Sequence, residues 1–431
     1  MLVIAIFLIF VLLYQFDNKT AFYIFCLYMV TAGFWLCLKA DSSMAPVIFH
    51  IIPLACLYSI YPFLKKYGKF LAFSFFIFIL YLLFKSLFWE FSFFSNFMIL
   101  KNSLFCICLG FSFWENYKVG KVNFNSFYNS IYFLLLVEII IGWAQYFSNG
   151  VMNFFIVEEY FWRGETTPLT FDINKFTLDG KMMIGTLTTA SSYSNFLSVV
   201  VFSLFLREIL RPTKSIVRYS IIGLGFVTLI FAGIRTPLFM LLLFCMILLH
   251  RYKKHLFWAG VFVFVIALSS FSILALSDNT GTIGRILLGL EMIFSGNAAF
   301  LTDSTFIYSV LMIPFFLKNP IFGVSQYATT GYVLSSGHVL MDMSIYDSYL
   351  MYILCEVGMV GVWLFMRPLL KFRKKTNLPV DSFCYTVVLA FGLSLSIVDR
   401  GIFSYVTLIL LIFAIMLCSS FDDKLNNNVT R

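Results

Sequence analysis

The chain has 431 residues, of which 61% are hydrophobic and only 12% are charged. Because soluble domains carry about 25% charged residues, this chain has too little polar surface to fold as a water-soluble globule. Its net charge of +9 arises mostly from basic residues between apolar segments, which is typical of membrane topology and argues against a nucleic-acid-binding patch. We therefore predict an all-α polytopic membrane protein.

A membrane helix needs about 20 mostly apolar residues, and the chain offers about 13 such segments, within a range of about 11–14. In chain order the predicted spans are residues 1–16, 21–38, 46–63, 70–89, 97–114, 127–147, 191–206, 219–233, 236–250, 256–276, 346–366, 380–397 and 402–418. Helices are expected because lipid cannot hydrogen-bond open backbone groups. We expect residues 1–431 to form a single transmembrane domain.

Basic residues in alternate short connections predict the orientation of the spans. These residues are Lys65, Lys66, Lys69, Lys118, Lys121, Arg207, Arg211, Lys214, Arg218, Arg251, Lys253, Lys254, Arg367, Lys371, Arg373, Lys374 and Lys375. The positive-inside rule places them in the cytoplasm. Two loops on the opposite, outer side are long, at about 148–190 and about 277–345, and loops of that length are usually functional.

Four outer connections carry an arginine despite the bias against positive charge there. They contain Arg163, Arg235, Arg285 and Arg400. Arginine suits phosphate because its planar fork binds two oxygens at once. For Arg163 and Arg285 a binding role and a plain surface or lipid-headgroup role remain equally open, because long translocated loops escape the charge bias.

Arg235 lies in the tight connection Gly-Ile-Arg-Thr-Pro at residues 233–237. Thr236 is expected to cap the following helix, and Pro237 suits its first turn. The free N–H groups of that helix end would then point outward beside a fixed arginine, which makes an anion site at the membrane surface. The alternative is an arginine that snorkels to the interface.

Acidic and histidine residues supply further candidates. Charge inside a membrane is a functional hypothesis by default, which applies to Glu356, whereas we interpret Glu138 as pairing with another helix. His338, in the large outer loop, is a plausible base near neutral pH, and a nearby carboxylate such as Asp347 could do the same work. HExxH, P-loop and GxSxG patterns are absent, which argues against an ATP-driven pump and an α/β-hydrolase.

Four short motifs follow one another in the C-terminal half. In order, the chain has Gly-Ile-Arg-Thr at 233–236, Asn-Pro-Ile-Phe-Gly-Val-Ser at 319–325, Asp-Ser-Tyr-Leu at 347–350 and Glu-Val-Gly-Met-Val-Gly at 356–361. Over roughly residues 230–366 this order resembles the bacterial O-antigen polymerase and O-antigen ligase superfamily. Ser325 stands where a second glycine is usual. Ligases often carry a His-Asn pair where this chain has Tyr346 and Asp347, which favours a polymerase of surface-polysaccharide repeat units.

The resemblance implies a metal-independent glycosyltransferase of the GT-C class, without a cofactor, at the periplasmic face of the bacterial inner membrane. Its donor would be an oligosaccharide on undecaprenyl pyrophosphate. Arg235 and Arg285 would hold the pyrophosphate, and Asp347 or His338 would be the catalytic base. The other predicted substrate-binding residues are Arg163, Arg400 and Glu356. Expected partners are membrane lipids, a chain-length regulator and a flippase, with no nucleic acid.

The competing class is a flippase for lipid-linked oligosaccharides. Flippases also have about a dozen spans, but they usually have short loops and an internal two-half repeat. The sequence shows long outer loops and no such repeat. A non-catalytic chain-length partner would typically have two spans. The sequence therefore favours a polymerase, with a ligase or a flippase as the alternatives.

Overall fold

A computed structural model describes the chain in several separate ranges. They are residues 57–88, 124–148, 183, 185, 190–232, 235–258, 261, 313, 316–323, 349–376, 378, 380–397, 411, 414 and 415. All regular secondary structure in these ranges is helical. The helices are α1 (Leu57–Phe88), α2 (Phe124–Phe147), α3 (Ala190–Leu210), α4 (Ile216–Phe231), α5 (Arg235–Tyr252), α6 (Tyr349–Thr376) and α7 (Ser382–Leu395).

The chain divides into two compact units. Unit 1 contains Met1–Tyr61 and Ser112–Leu288, and unit 2 contains Pro62–Phe111 and Gly289–Arg431. Helices α2 to α5 belong to unit 1, whereas α6, α7 and all of α1 from Pro62 onward belong to unit 2. The single transmembrane domain stays a prediction.

Each of the seven helices overlaps a predicted span, which confirms the helical class of these segments. Two stretches, Tyr193–Leu210 in α3 and Ile353–Lys374 in α6, are long and apolar enough to cross a membrane. Shorter apolar stretches of 10–17 residues are Phe76–Phe88, Ile131–Phe147, Ile216–Phe231, Pro237–Tyr252 and Ser382–Leu395. The predicted spans 1–16, 21–38 and 97–114 lie outside the described residues, as do most of 46–63, 256–276 and 402–418.

Helix α1 corrects one predicted boundary. The sequence placed a basic loop between the spans 46–63 and 70–89, but the structure has one continuous helix of 32 residues across that point. Lys65, Lys66 and Lys69 do not interrupt it, because lysine is a good helix former and Lys65, Lys66 and Lys69 are exposed. At 1.5 Å per residue α1 is about 48 Å long, more than the roughly 30 Å of a bilayer's hydrocarbon.

In unit 1, α2 and α4 run in the same direction. Near their N-terminal ends Arg218 donates to Asn129 Oδ1 at 3.0 Å, and near their C-terminal ends the rings of Trp143 and Phe231 are 5.0 Å apart. Helix α3 runs the opposite way, because its first turn meets the C-terminal half of α2 through Tyr193. Three successive helices thus alternate in direction.

One end of unit 1 is held by a buried ion pair. Arg207 and Glu208, both nearly fully buried, are joined at 3.2 Å between Nη1 and Oε1. Tyr132 donates its hydroxyl to the same Glu208 oxygen at 2.9 Å, and Thr213 donates its N–H and hydroxyl to the other oxygen at 2.9 and 2.7 Å. The cation of Arg207 also lies 5.4 Å from the ring centre of Tyr128. These contacts fix the connection between α3 and α4 against α2.

In unit 2, α1 and α6 are antiparallel. The rings of Tyr67 and Phe372 are 6.3 Å apart, whereas Tyr81, further along α1, donates its hydroxyl to the carbonyl of Val357, earlier in α6. Helix α7 then returns along α6, because the amide of Leu350 near the start of α6 donates to the carbonyl of Ser396 at 2.8 Å. The side chain of Asp381 caps the start of α7 by accepting from the amide of Phe383 at 3.3 Å.

Candidate functional site

Five of the seven predicted site residues lie outside the described part of the chain. They are Arg163, Arg285, His338, Asp347 and Arg400. Most of the two long predicted loops also lies outside it. Their predicted roles therefore stay predictions, and only Arg235 and Glu356 have a place in the described fold.

Arg235 is the first residue of α5. The predicted helix after the tight connection is therefore present, with the buried ring of Pro237 in its first turn. The predicted cap is wrong, because Thr236 is already the second residue of the helix.

Glu356 lies beside a break in α6. The backbone of Gly358 has φ of 67° and ψ of −179°, a combination that is neither helical nor open to other residues without strain. The helix therefore has a first half that ends at Val357 and a second half that follows Gly358. A break leaves carbonyls of the first half and amides of the second half without partners inside the helix.

A tight turn at residues 319–323, here called the Asn319 turn, fills this break. Asn319 accepts twice within the turn, at its side-chain oxygen from the amide of Phe322 at 3.2 Å and at its carbonyl from the amide of Gly323 at 2.8 Å. Gly323 has φ of 75°, which ends the turn in the left-handed region that favours glycine. This geometry explains why the motif needs asparagine first and glycine last.

The Asn319 turn supplies acceptors to the second half of α6. The amide of Met359 donates to the carbonyl of Pro320 at 2.9 Å, and the amide of Val360 donates to the carbonyl of Ile321 at 3.1 Å. The two backbones cross so closely that a Cβ on Gly323 would lie 2.6 Å from the amide nitrogen of Gly358. Two motifs that the sequence shows more than 30 residues apart are thus one structural element.

Two side chains of α1 supply donors to the first half of α6. Lys85 donates from Nζ to the carbonyl of Glu356, and Tyr81 donates its hydroxyl to the carbonyl of Val357 and, at 3.1 Å, to the carbonyl of Phe322 in the Asn319 turn. Lys85 and Glu356 are both fully buried, and the Glu356 carboxylate acts electrostatically on the Lys85 ammonium. The carbonyls of Glu356 and Val357 and the amides of Met359 and Val360 therefore have hydrogen-bond partners outside α6.

A second buried polar cluster lies in unit 1, around Glu138. The side-chain amide of Gln145 pairs with the backbone of Gly185 in both directions, each hydrogen bond being 2.8 Å long. Tyr193 donates its hydroxyl to the carbonyl of Glu138 at 2.8 Å. Gly185 has φ of 57° and lies between the Glu138 carboxylate and the Tyr193 ring. The cluster anchors the chain near residue 185, just before α3, against α2.

The sequence singled out the two motifs of the α6 break but missed their partners on α1. Lys85 carried no predicted role, although a lysine within an apolar run is itself the signal of an intramembrane charge. Tyr81 gave no signal, because one tyrosine among many aromatic residues carries no pattern. Among the residues that the structure describes, no cluster of three or more His, Cys, Asp or Glu side chains could hold a metal ion.

Comparison with known proteins adds no family assignment. No protein-family model matches this chain, and no curated protein matches it. The function is therefore argued from the motifs and from the geometry of the described helices.

Proposed function

We propose that this protein is a polymerase of surface-polysaccharide repeat units in the bacterial inner membrane. It transfers the growing glycan from undecaprenyl pyrophosphate to a sugar hydroxyl of the next lipid-linked repeat unit, at the outer face of the membrane. The observation that carries the proposal is the contact between the Asn319 turn and the α6 break. Motifs that merely resemble a family by chance have no reason to meet in space.

The directions of the helices support a membrane disposition. In unit 1, α2, α3 and α4 alternate in direction, as consecutive spans must. The end that holds Arg207 and Arg218 is basic, whereas the opposite end is aromatic, with Trp143 and Tyr146 against Phe231. Basic residues inside and aromatic residues at the interface are typical of membrane helices.

Unit 2, taken by itself, also has one basic end. The contact of Tyr67 with Phe372 brings the basic stretch of α1 and the basic end of α6 to one end of the unit. Lys85 lies 18 positions beyond Tyr67, or about 27 Å along the helix. With the basic end in the cytoplasm, that distance brings the α6 break close to the outer boundary of a roughly 30 Å hydrocarbon layer.

The chemistry follows from the leaving group. The acceptor hydroxyl attacks the anomeric carbon of the donor glycan, a new C–O bond forms, and the C–O bond to pyrophosphate breaks with its electron pair on the pyrophosphate. Arg235 and Arg285 stabilise the charge that develops there, in the role that a metal has in other glycosyltransferases. Asp347 takes the proton of the attacking hydroxyl. In this scheme Arg163, Arg400 and Glu356 are further substrate-binding residues.

A flippase is the second candidate, because discontinuous helices line the substrate sites of many transporters. In such sites the free ends of the half-helices face the transported molecule. Here the amides of Met359 and Val360 and the carbonyls of Glu356 and Val357 contact other parts of the chain. The α6 break therefore fits a fixed scaffold better than a transport site.

A deletion strain separates the candidate functions by its surface-polysaccharide ladder. A polymerase defect leaves a single repeat unit on the lipid anchor. A ligase defect leaves full-length polymer that is missing from its final anchor, and a flippase defect traps lipid-linked repeat units in the cytoplasm. We expect the deletion strain to show a single repeat unit on the lipid anchor. Either of the other two patterns would refute the proposal that the protein is a polymerase.

Topology is the first testable prediction. Reporter fusions near residues 165 and 310 are expected to report the outer side, and fusions near residues 212 and 372 the cytoplasm, because of the alternation of basic clusters. The measurement is the activity of paired reporters that work on only one side of the membrane. A cytoplasmic signal from the 277–345 loop would place the predicted base in the wrong compartment and refute the mechanism.

The arginines give the second prediction. Changing Arg235 or Arg285 to alanine is expected to lower the rate of chain growth by about 10²–10³, the usual effect of removing one donor to a developing charge. Changing either residue to lysine keeps the charge but loses the fork, so at most partial rescue is expected. Ladder length is measured at matched membrane protein level. Wild-type ladders in both alanine variants would make these residues interface anchors.

A further inference from the structure

We propose that Lys85 and Tyr81 are positioning residues of this reaction, which set the direction of the first half of α6. That half-helix begins at Tyr349, two residues after the predicted base Asp347. The inference rests on the proposed function. It adds a role for α1, which carries none of the family-like motifs.

The first step is the polarity of the contacts. The carbonyl end of a half-helix carries a partial negative charge and needs donors. Lys85 supplies a cation to the carbonyl of Glu356, and Tyr81 supplies a hydroxyl to the carbonyl of Val357. These are the donor types that the end of the first half requires.

The second step is that Tyr81 also ties the half-helix to the Asn319 turn. Its hydroxyl bonds the carbonyl of Phe322 in that turn as well as the carbonyl of Val357. The same turn accepts from the amides of Met359 and Val360. The end of the first half, the start of the second half and the turn are therefore joined around one point, so the angle between the two halves is fixed.

The third step is the cost of this arrangement. An unbroken helix would satisfy the carbonyls of Glu356 and Val357 with its own amides. The chain instead breaks the helix at Gly358, in a backbone conformation that favours glycine, and buries the Lys85 ammonium completely. Burying a charge costs several kcal/mol, and the hydrogen bond from Lys85 to the carbonyl of Glu356 offsets part of that cost. Sparsely populated backbone conformations of this kind cluster at functional sites.

The functional consequence is geometric. Loss of the Lys85 cation would let the first half of α6 rotate about Gly358, and a displacement of about 1 Å at the reacting groups costs about 10²-fold in rate. We therefore expect a larger effect on kcat than on KM, the mark of an interaction used chiefly in the transition state.

The experiment compares purified protein in lipid nanodiscs, supplied with undecaprenyl-pyrophosphate-linked repeat units. The variants are Lys85→Met, Lys85→Arg and Tyr81→Phe. Tyr81→Phe removes one hydroxyl and no charge, so it is expected to fold where Lys85→Met fails to. Lys69→Met is the matched control, because Lys69 lies exposed on the same helix.

Tyr81→Phe is expected to lose about 10²-fold in kcat with a smaller change in KM, and Lys85→Arg is expected to keep much of the wild-type kcat because it keeps a cationic donor. In parallel, hydrogen exchange of the amides of Met359 and Val360 is expected to quicken in Tyr81→Phe. The control is expected to match the wild type in both measurements. An unchanged kcat, or unchanged exchange, in folded Tyr81→Phe would overturn the positioning role.

The two measurements separate the inference from the proposed function. If wild-type protein makes no polymer in the nanodiscs, the proposed function fails. The exchange measurement then still shows whether Tyr81 holds the α6 break. Exchange in Tyr81→Phe that is as slow as in the wild type would overturn the inference on its own.

Discussion

Changing Gly358 to alanine is expected to destabilise the protein by about 3 kcal/mol or more. Two effects add. The φ of 67° with ψ of −179° lies in a region that only glycine occupies without strain. An added Cβ would also lie 2.5 Å from the amide nitrogen of Gly323 and from the carbonyl carbon of Phe322, and both are backbone atoms that cannot move aside cheaply.

The measurement is the melting temperature of detergent-purified protein, with the yield of monodisperse protein beside it. Gly223→Ala is the matched control, because Gly223 lies exposed in α4 and a Cβ there would meet no atom within 4 Å. Alanine inside a helix is favoured over glycine by about 1 kcal/mol, so this control is expected to be neutral or stabilising. Equal melting temperatures for the two variants would contradict the crossing of the Asn319 turn and the α6 break.

Changing Asp347 to asparagine is expected to abolish chain growth, a loss of about 10²–10⁴ in rate. Asparagine keeps the shape of the side chain but cannot accept the proton of the attacking hydroxyl. Asp347 is preferred as the base because it comes two residues before α6, where the predicted loop rejoins a predicted span. A residue next to a helix is held more firmly than one within a loop, and a base must stay within hydrogen-bond reach of its proton.

His338→Ala supplies the comparison and is expected to leave detectable polymer. The measurement is ladder length for each variant, corrected for the amount of protein in the membrane. Normal polymer from Asp347→Asn together with no polymer from His338→Ala would reverse the assignment and give the histidine the catalytic role.

The helices were predictable from hydropathy, whereas their continuity was not. An apolar run long enough to cross a membrane marks α3 and α6 without any knowledge of partners. The continuity of α1 across residues 65–69 was not predicted, because its three lysines resemble the basic loops between other spans. Charge marks which side of a membrane a residue prefers, whereas lysine is a good helix former and does not mark where a helix stops.

The break in α6 was not predictable, although its residues were noticed. A glycine inside a helical pattern is usually tolerated, so residues 356–361 read as part of a continuous span. The conformation of Gly358 depends on the Asn319 turn and on Lys85, which is 271 positions away from its partner Glu356. Only the fold brings these groups together, and no local pattern encodes such a pairing.

The candidate site was predicted from the order of the motifs. The part of it that the structure describes is the scaffold formed by α6 and the Asn319 turn. Arg235 begins α5 after the tight connection, but α5 already includes Thr236, so the predicted cap position is wrong. Glu356 was noticed as an intramembrane charge. The structure adds that its backbone carbonyl accepts a hydrogen bond from Lys85, which the sequence alone could not supply.

The most direct test of the central claim is reconstitution of the purified protein with undecaprenyl-pyrophosphate-linked repeat units in nanodiscs, with a chelator present. Mass spectrometry follows the lipid-linked products. We predict lipid carriers with two, three and more repeat units, and one free undecaprenyl pyrophosphate released for each bond formed. Repeat units that stay single while the protein is folded and correctly oriented would contradict the polymerase.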